Sequence, residues 1–361
     1  MDCFIDSGEL GNDRNSGTHR RSPRKTLNGA MALSLKDKDR LLIRQGSTFN
    51  TPLAWAFNGV TVTSYSLGTE KNVLPTLTLP FKGTKGLNVV GKDNTFEQLH
   101  IVGAETGVFV DPLATGNVFS AVNVSRFGWG YLVHGSYTTI NDFEISTGLM
   151  VRDVTTSDYV GASAVTLWRH ENHECHTISI RGCVIKDAWA ARTSGEEGKD
   201  TDGDGSMFEI FGGVQNVYIA DAEGLACKIL CELGGTKSRN ETSSNVQFIR
   251  CKTSGPSGKA FFVNDPAGTF GIGWNGYSFD QCELIVDGYP ESAFYLAGNH
   301  GDLSTKLSIT NSTIIGAAQI LNGGKGTLLD TFVHRDNTFW RSDGGRGLGF
   351  KLHQSDRFQA P

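Results

Sequence analysis

What the chain lacks narrows it first. No apolar run in its 361 residues approaches the ~20 needed to cross a bilayer, so membrane insertion is not expected. Positive charge is not in excess: 33 Lys and Arg stand against 38 Asp and Glu, a formal net charge of −5. Bulk charge therefore gives no reason to expect a nucleic-acid partner. The opening Met-Asp-Cys-Phe-Ile-Asp has none of the basic, apolar and small-residue regions of a signal peptide. The expectation is a cytoplasmic protein, a protein that reaches the outside by lysis as a phage virion does, or a chain trimmed of its leader. A phosphate-cradling loop, a nucleophile elbow and a dinucleotide fingerprint are all missing. Proline is scarce at 9 beside 45 glycines, which suits a fold of many tight corners.

What is present is a repeat spanning residues 96–314. A β-branched or aromatic residue is followed at the fourth position by a small or apolar residue and at the sixth by another, usually apolar. Copies begin at Phe96, Phe119, Ile140, Ile180, Ile219, Val246 or Phe248, Phe279 and Ile309. The fourth positions are Leu99, Val122, Phe143, Cys183, Ala222, Cys251, Cys282 and Ser312, and the sixth include Ile101, Val124, Ile145, Ile185, Gly224 and Thr253. Successive copies lie 23, 21, 40, 39, 29, 31 and 30 residues apart, taking Phe248 as the sixth start. A period of about 21–23 residues stretched by inserted loops is that of a coiled β architecture. A repeat argues for one elongated domain, since solenoids grow by stacking.

Seven cysteines is an odd number. Cys183, Cys251 and Cys282 share the fourth position, which predicts an inward stack of small apolar thiols rather than disulfides or a zinc site.

Each copy is expected to be followed by a second strand, at 107–110, 130–133, 206–211, 227–233, 259–264, 292–298 and 317–323. For the coil after Ile145 two choices stand open, 164–168 and 149–151. With the first, the insertions at 146–177 and 187–206 leave from one corner of adjacent coils. Residues 3–80 read as a cap, with a helix from Ser22, as N-cap, to about Leu35. The ordered run Asp6, Gly11-Asn12-Asp13, Asn15-Ser16-Gly17-Thr18, Ser22-Pro23, Lys25-Thr26-Leu27, Asp39-Arg40-Leu41, Gly46-Ser47-Thr48-Phe49, Ser64-Tyr65 and Pro75 resembles the opening of the pectate-lyase-like parallel β-helix superfamily. That resemblance covers about the first 80 residues. It implies a cap helix and first coils, within a superfamily of polysaccharide lyases, glycoside hydrolases, epimerases, phage tailspikes and non-catalytic members.

The expected architecture is all-β, a single-stranded right-handed parallel β-helix with an N-terminal capping helix. Its parts are a cap and first coils at 1–85, coils at 86–340 and a tail at 341–361. Polar chemistry gathers on the two early insertions, where the period breaks. Asp200, Asp202 and Asp204, spaced by glycine, form a candidate Ca2+ site, with a solvated acidic turn as the alternative. An EF-hand is excluded because position 211 is Phe. Lys199, Arg192, His170 or His173 are the candidate bases for abstracting a proton beside a Ca2+-neutralised uronate. Trp168, Trp189, Arg169 and Glu197 are the candidate substrate contacts. For glycoside hydrolysis the same region supplies several carboxylates, Glu209 among them, without singling out a pair. The expected function is binding and cleavage of an acidic polysaccharide, lyase-type chemistry before hydrolysis, in a tailspike-like depolymerase. The alternative is a non-catalytic decoration or receptor-binding β-helix, homotrimeric or joined to virion proteins.

Overall fold

The computed structural model describes residues 1–68, 73–152, 160–190, 205–234, 241–254, 259–265, 273–286, 292–298, 305–323, 328–329, 331–341, 350–351 and 357–358. The chain is a right-handed parallel β-helix. Each coil has three faces. Face one carries the first position of the repeat, face two the fourth and sixth, and face three the second strand. Thr95–Val102 serves faces one and two in its coil, and Thr106–Val110 serves face three. Among the described residues, face three is a sheet of eleven strands, from Leu53–Trp55 to Phe350–Lys351.

The repeat register is the ladder register. Cys3, Leu41, Val62, Phe96, Phe119, Ile140, Ile180, Ile219, Phe248, Phe279 and Ile309 are successive ladder partners. All are fully buried. Like stacks on like along this column: Phe96 and Phe119 stack at 5.2 Å and 10°, Phe248 and Phe279 at 4.7 Å and 3°. Parallel ladders place identical repeat positions one rung, about 4.8 Å, apart, so one well-filled position templates the next.

The corner between faces one and two is made by a single left-handed residue. Gln98, Ala121, Asp142, Gly182, Asp221, Arg250, Gln281, Asn311 and Asp336 hold it, with φ between 50° and 63°. One residue in this conformation turns the chain sharply without breaking either strand. The sequence reading treats this position as variable, and chemically it is: alanine and arginine occupy it beside the expected Asp, Asn and Gly.

The sixth position is matched in size to face three. A Cβ on Gly107 would lie 2.5 Å from Val124 Cγ1, so valine on face two needs glycine opposite. Where face two has Gly224 instead, Met207 fills the space from face three. This exchange explains the glycine at the sixth position.

All seven cysteines are buried and form no disulfide, and Cys251 and Cys282 hydrogen-bond to each other. Burial pushes Cys175 and Cys227 up to about 12, far from thiolate formation at neutral pH. None of the seven is expected to react with an aromatic disulfide reagent in the native protein, and all should react once it is denatured. A rapidly labelled native thiol would contradict this packing.

The N-terminal helix is shorter than expected and starts later. It runs Leu27–Met31, with Thr26 as N-cap accepting from Gly29 N–H at 2.9 Å. Ser22 lies in a turn instead, donating its N–H to His19. The reason is strand pairing: Arg24 bridges Ile5 in parallel, so Pro23 and Arg24 are extended and the helix cannot begin before them. Leu27 and Ala30 enter the core. The ladder itself begins at Asp2–Ile5, paired to Arg40–Arg44.

Candidate functional site

Face three gathers the chemistry. Its outward column reads, rung by rung, Asn88, Phe109, Leu132, Thr166, Glu209, Glu232, Phe262, Tyr295 and Asn322. Glu209 and Glu232 are direct ladder partners, both half-buried, on one outward surface. Thr166 Oγ1 donates to Glu209 Oε2 at 3.3 Å. A hydrogen bond to the carboxylate favours its ionised form.

Insertions flank this column. The face-three strand after Ile145 is Ser163–Leu167; Met150–Arg152 pairs instead with Val160–Gly161 as an antiparallel hairpin. The first insertion is therefore split across face three. Its early part leaves at the leading edge, where the chain enters the face, together with 187–190 of the next coil. Gly148 N–H donates to Asp187 O at 2.9 Å there. Trp189 is exposed on this edge, and Gly205 returns against the backbone of Ala188 and Trp189. The later part, 168–174, stands at the trailing edge. Described parts of the insertions thus lie at both edges of face three, Gly148 and Trp189 at the leading edge and 168–174 at the trailing one.

The trailing edge is an aromatic and imidazole cluster. Trp168 stacks on Phe211 at 4.6 Å and 14°, and His134 lies 5.8 Å from it one rung back. Trp168 is partly exposed between these two rings. Phe211 in turn lies against Gly234, where any Cβ would meet its ring at 2.5 Å. His170 is exposed and edge-on to His134 at 5.5 Å. His173 closes a turn, donating its N–H to His170 O at 2.9 Å. Arg169 pairs with Glu241 at 3.4 Å. His176 turns toward Glu174 and Tyr137. Among the described residues no three His, Cys, Asp or Glu cluster as a metal site.

Arg192, Glu197, Lys199, Asp200, Asp202 and Asp204 lie outside the described residues. Ala190 and Gly205, which bracket that stretch, are both buried. Sequence reasoning named Glu209 without its partner. Glu232 was legible: Phe208-Glu209-Ile210 and Cys231-Glu232-Leu233 repeat one apolar-Glu-apolar pattern in consecutive second strands.

His134 is almost fully buried, and its Nδ1 lies 2.6 Å from Trp168 O. Burial holds its pKa below the ordinary value near 6.5, and His100 is depressed for the same reason. Between the folded value and 6.5 the unfolded chain binds protons that these imidazoles refuse when folded. Stability therefore rises with pH through that window and is lost as pH falls through it. A melting-temperature series from pH about 5 to 8 should show this slope, flatter in His134→Gln. Equal slopes in the two proteins would remove His134 from the explanation.

No protein-family model matches the chain, and no curated protein matches it in sequence. Solved structures do match. A GH136 lacto-N-biosidase from Eubacterium ramulus aligns with TM-score 0.56 and 11% identity, over 98% of this chain and 68% of its own. An exopolygalacturonase from Thermotoga maritima aligns with TM-score 0.55 and 11% identity, over 83% and 80%. A tailspike double mutant of E. coli bacteriophage HK620, in complex with a pentasaccharide, gives 0.56 and 7%, over 85% of this chain but 55% of the tailspike. The likeness is one of fold. Among the described residues no helix is long and apolar enough to cross a membrane.

Proposed function

We propose that this chain binds a polysaccharide along face three and cleaves it at the Glu209–Glu232 pair. The observation that carries the reading is the register of these two carboxyl groups, direct ladder partners on one outward surface. A rung of about 4.8 Å is close to the ~5–5.5 Å separation of carboxyl pairs in retaining glycosidases. In this reading Glu209, which accepts from Thr166, is the nucleophile and Glu232 serves as the general acid. Glu232 passes its proton to the glycosidic oxygen as the bond to the anomeric carbon breaks, and Glu209 Oε forms an ester with that carbon. Water, giving a proton to the Glu232 carboxylate, then displaces Glu209. Solved structures of the same fold include proteins named for action on glycans, which agrees with this use of the surface.

A second reading keeps the lyase chemistry expected from sequence. The brackets of 191–204 meet face three at the start of Ser206–Phe211, the strand that carries Glu209. In that reading Asp200, Asp202 and Asp204 would hold Ca2+, with Lys199 or Arg192 as the base acting on a uronate. The proposed setting for either chemistry is a virion-borne depolymerase assembled as a homotrimer, and light scattering reads that oligomeric state.

Incubation with a panel of polysaccharides separates the chemistries. Hydrolysis releases reducing ends with the anomeric configuration retained and without unsaturated product. Calcium-dependent ultraviolet absorbance, lost in Asp202→Ala with Asp204→Ala, would instead establish the lyase. Silence in both readouts, across acidic and neutral polymers, would overturn cleavage altogether.

A further inference from the structure

A single left-handed residue also turns the chain from face three into face one. Lys38, Gly59, Asp93, Gly116, Tyr137, Thr177, Asn216, Asn245 and Gly276 do so in successive coils, with φ between 54° and 72°. Gly, Asn and Asp take this conformation readily, whereas a bulky ring is disfavoured in it. Tyr137 is the one aromatic residue among them and is 56% exposed, so its ring serves neither the turn nor the core. The ring is nonetheless held. His176 packs edge-to-face against it, with centroids 4.9 Å apart at 75°. That imidazole is fixed in turn by Thr177 Oγ1, 2.9 Å from Nδ1, and by Glu174 Oε2, 3.2 Å from Nε2. On the preceding rung this corner is Gly116, which adds no side chain beside the ring.

A disfavoured backbone kept under an exposed, positioned side chain points to a use outside the fold. We infer that Tyr137 and Glu174 form a second carbohydrate-holding site, in which a pyranose lays its C–H face on the Tyr137 ring and donates hydroxyls to the Glu174 carboxylate. Both side chains touch the same imidazole, so they stand beside one another. One imidazole covers one face of the tyrosine at most, and the Glu174 side chain is 80% exposed, so both groups meet solvent. An apolar face with convergent acceptors is what a sugar ring requires of its contact. The site lies around the trailing corner of face three and makes no use of the Glu209–Glu232 pair. The inference rests on the reading of the chain as a polysaccharide-binding protein, and it adds a place where polymer is held without being cut. Its loss therefore acts on affinity rather than on turnover.

Affinity electrophoresis in gels containing dextran, hydroxyethyl cellulose, polygalacturonate, hyaluronate or xanthan tests this, beside urea denaturation of each variant. Tyr137→Asn places at this corner the residue that the same column holds at Asn216 and Asn245. Its urea midpoint should equal or exceed that of the wild type, because the disfavoured conformation is relieved. Its binding to a polymer that retards the wild type should nevertheless fall about tenfold, the loss of one aromatic contact. Tyr137→Trp, which keeps an aromatic face, should bind as the wild type does, and Glu174→Ala should bind more weakly. Equal retardation of the wild type and Tyr137→Asn overturns the second site while leaving carbohydrate binding intact. A fall in the midpoint of Tyr137→Asn that accompanies its loss of binding also overturns it, since the tyrosine then serves the fold. Retardation of the wild type by none of the five overturns both.

Discussion

Glu209→Gln and Glu232→Gln should each cut polysaccharide cleavage by about a thousandfold, the usual scale for losing one acid–base or nucleophilic group, while leaving polymer binding in place. The two losses should differ in kind. The wild-type rate needs Glu209 ionised and Glu232 protonated, so its pH profile should be bell-shaped. Glu209→Gln removes the acidic limb from whatever activity remains, and Glu232→Gln removes the basic limb. Thr166→Val should shift the acidic limb upward, because Glu209 then loses the hydroxyl that favours its charged form. Residual rates with unaltered limbs in both glutamine variants would assign the chemistry elsewhere, with the stretch 191–204 first in line.

The largest stability loss is expected at the glycines of face three. Gly107→Val places a Cβ 2.5 Å from Val124 Cγ1 and 2.6 Å from Gly130 O, and a backbone oxygen cannot step aside. Overpacking of this kind costs about 3 kcal/mol or more, read as a fall in the urea midpoint. Gly224→Ala meets only the end of the flexible Met207 side chain. Its smaller cost should largely disappear in the double variant with Met207→Ala, a coupling that a mutant cycle measures directly. Additive losses would mean that faces two and three do not share this space.

The fold was legible because a parallel ladder writes its register into the sequence. Each inward position recurs one coil later, and Phe119, Ile140 and Ile180 are neighbours in space as they are in pattern. The helix start was misread because Ser22-Pro23 is a good local signal for an N-cap, whereas the deciding interaction, Arg24 with Ile5, is nonlocal. The corner residues escaped notice because the left-handed conformation is imposed there by the coil, and Arg250 and Ala121 accept it. At the site, periodicity pointed to the insertions, and they do border face three. The floor between them was visible only once the second strands were set in register. Glu209 and Glu232 are 23 residues apart in sequence, and only that register makes them partners.

A crystal structure of Glu209→Gln with a bound oligosaccharide tests the central claim most directly. The expected result is a glycan running along the helix axis over face three, with a glycosidic oxygen within hydrogen-bonding distance of the Glu232 carboxyl group. A glycan seated on face one or face two, or lying across the insertions without reaching Glu232, would contradict it.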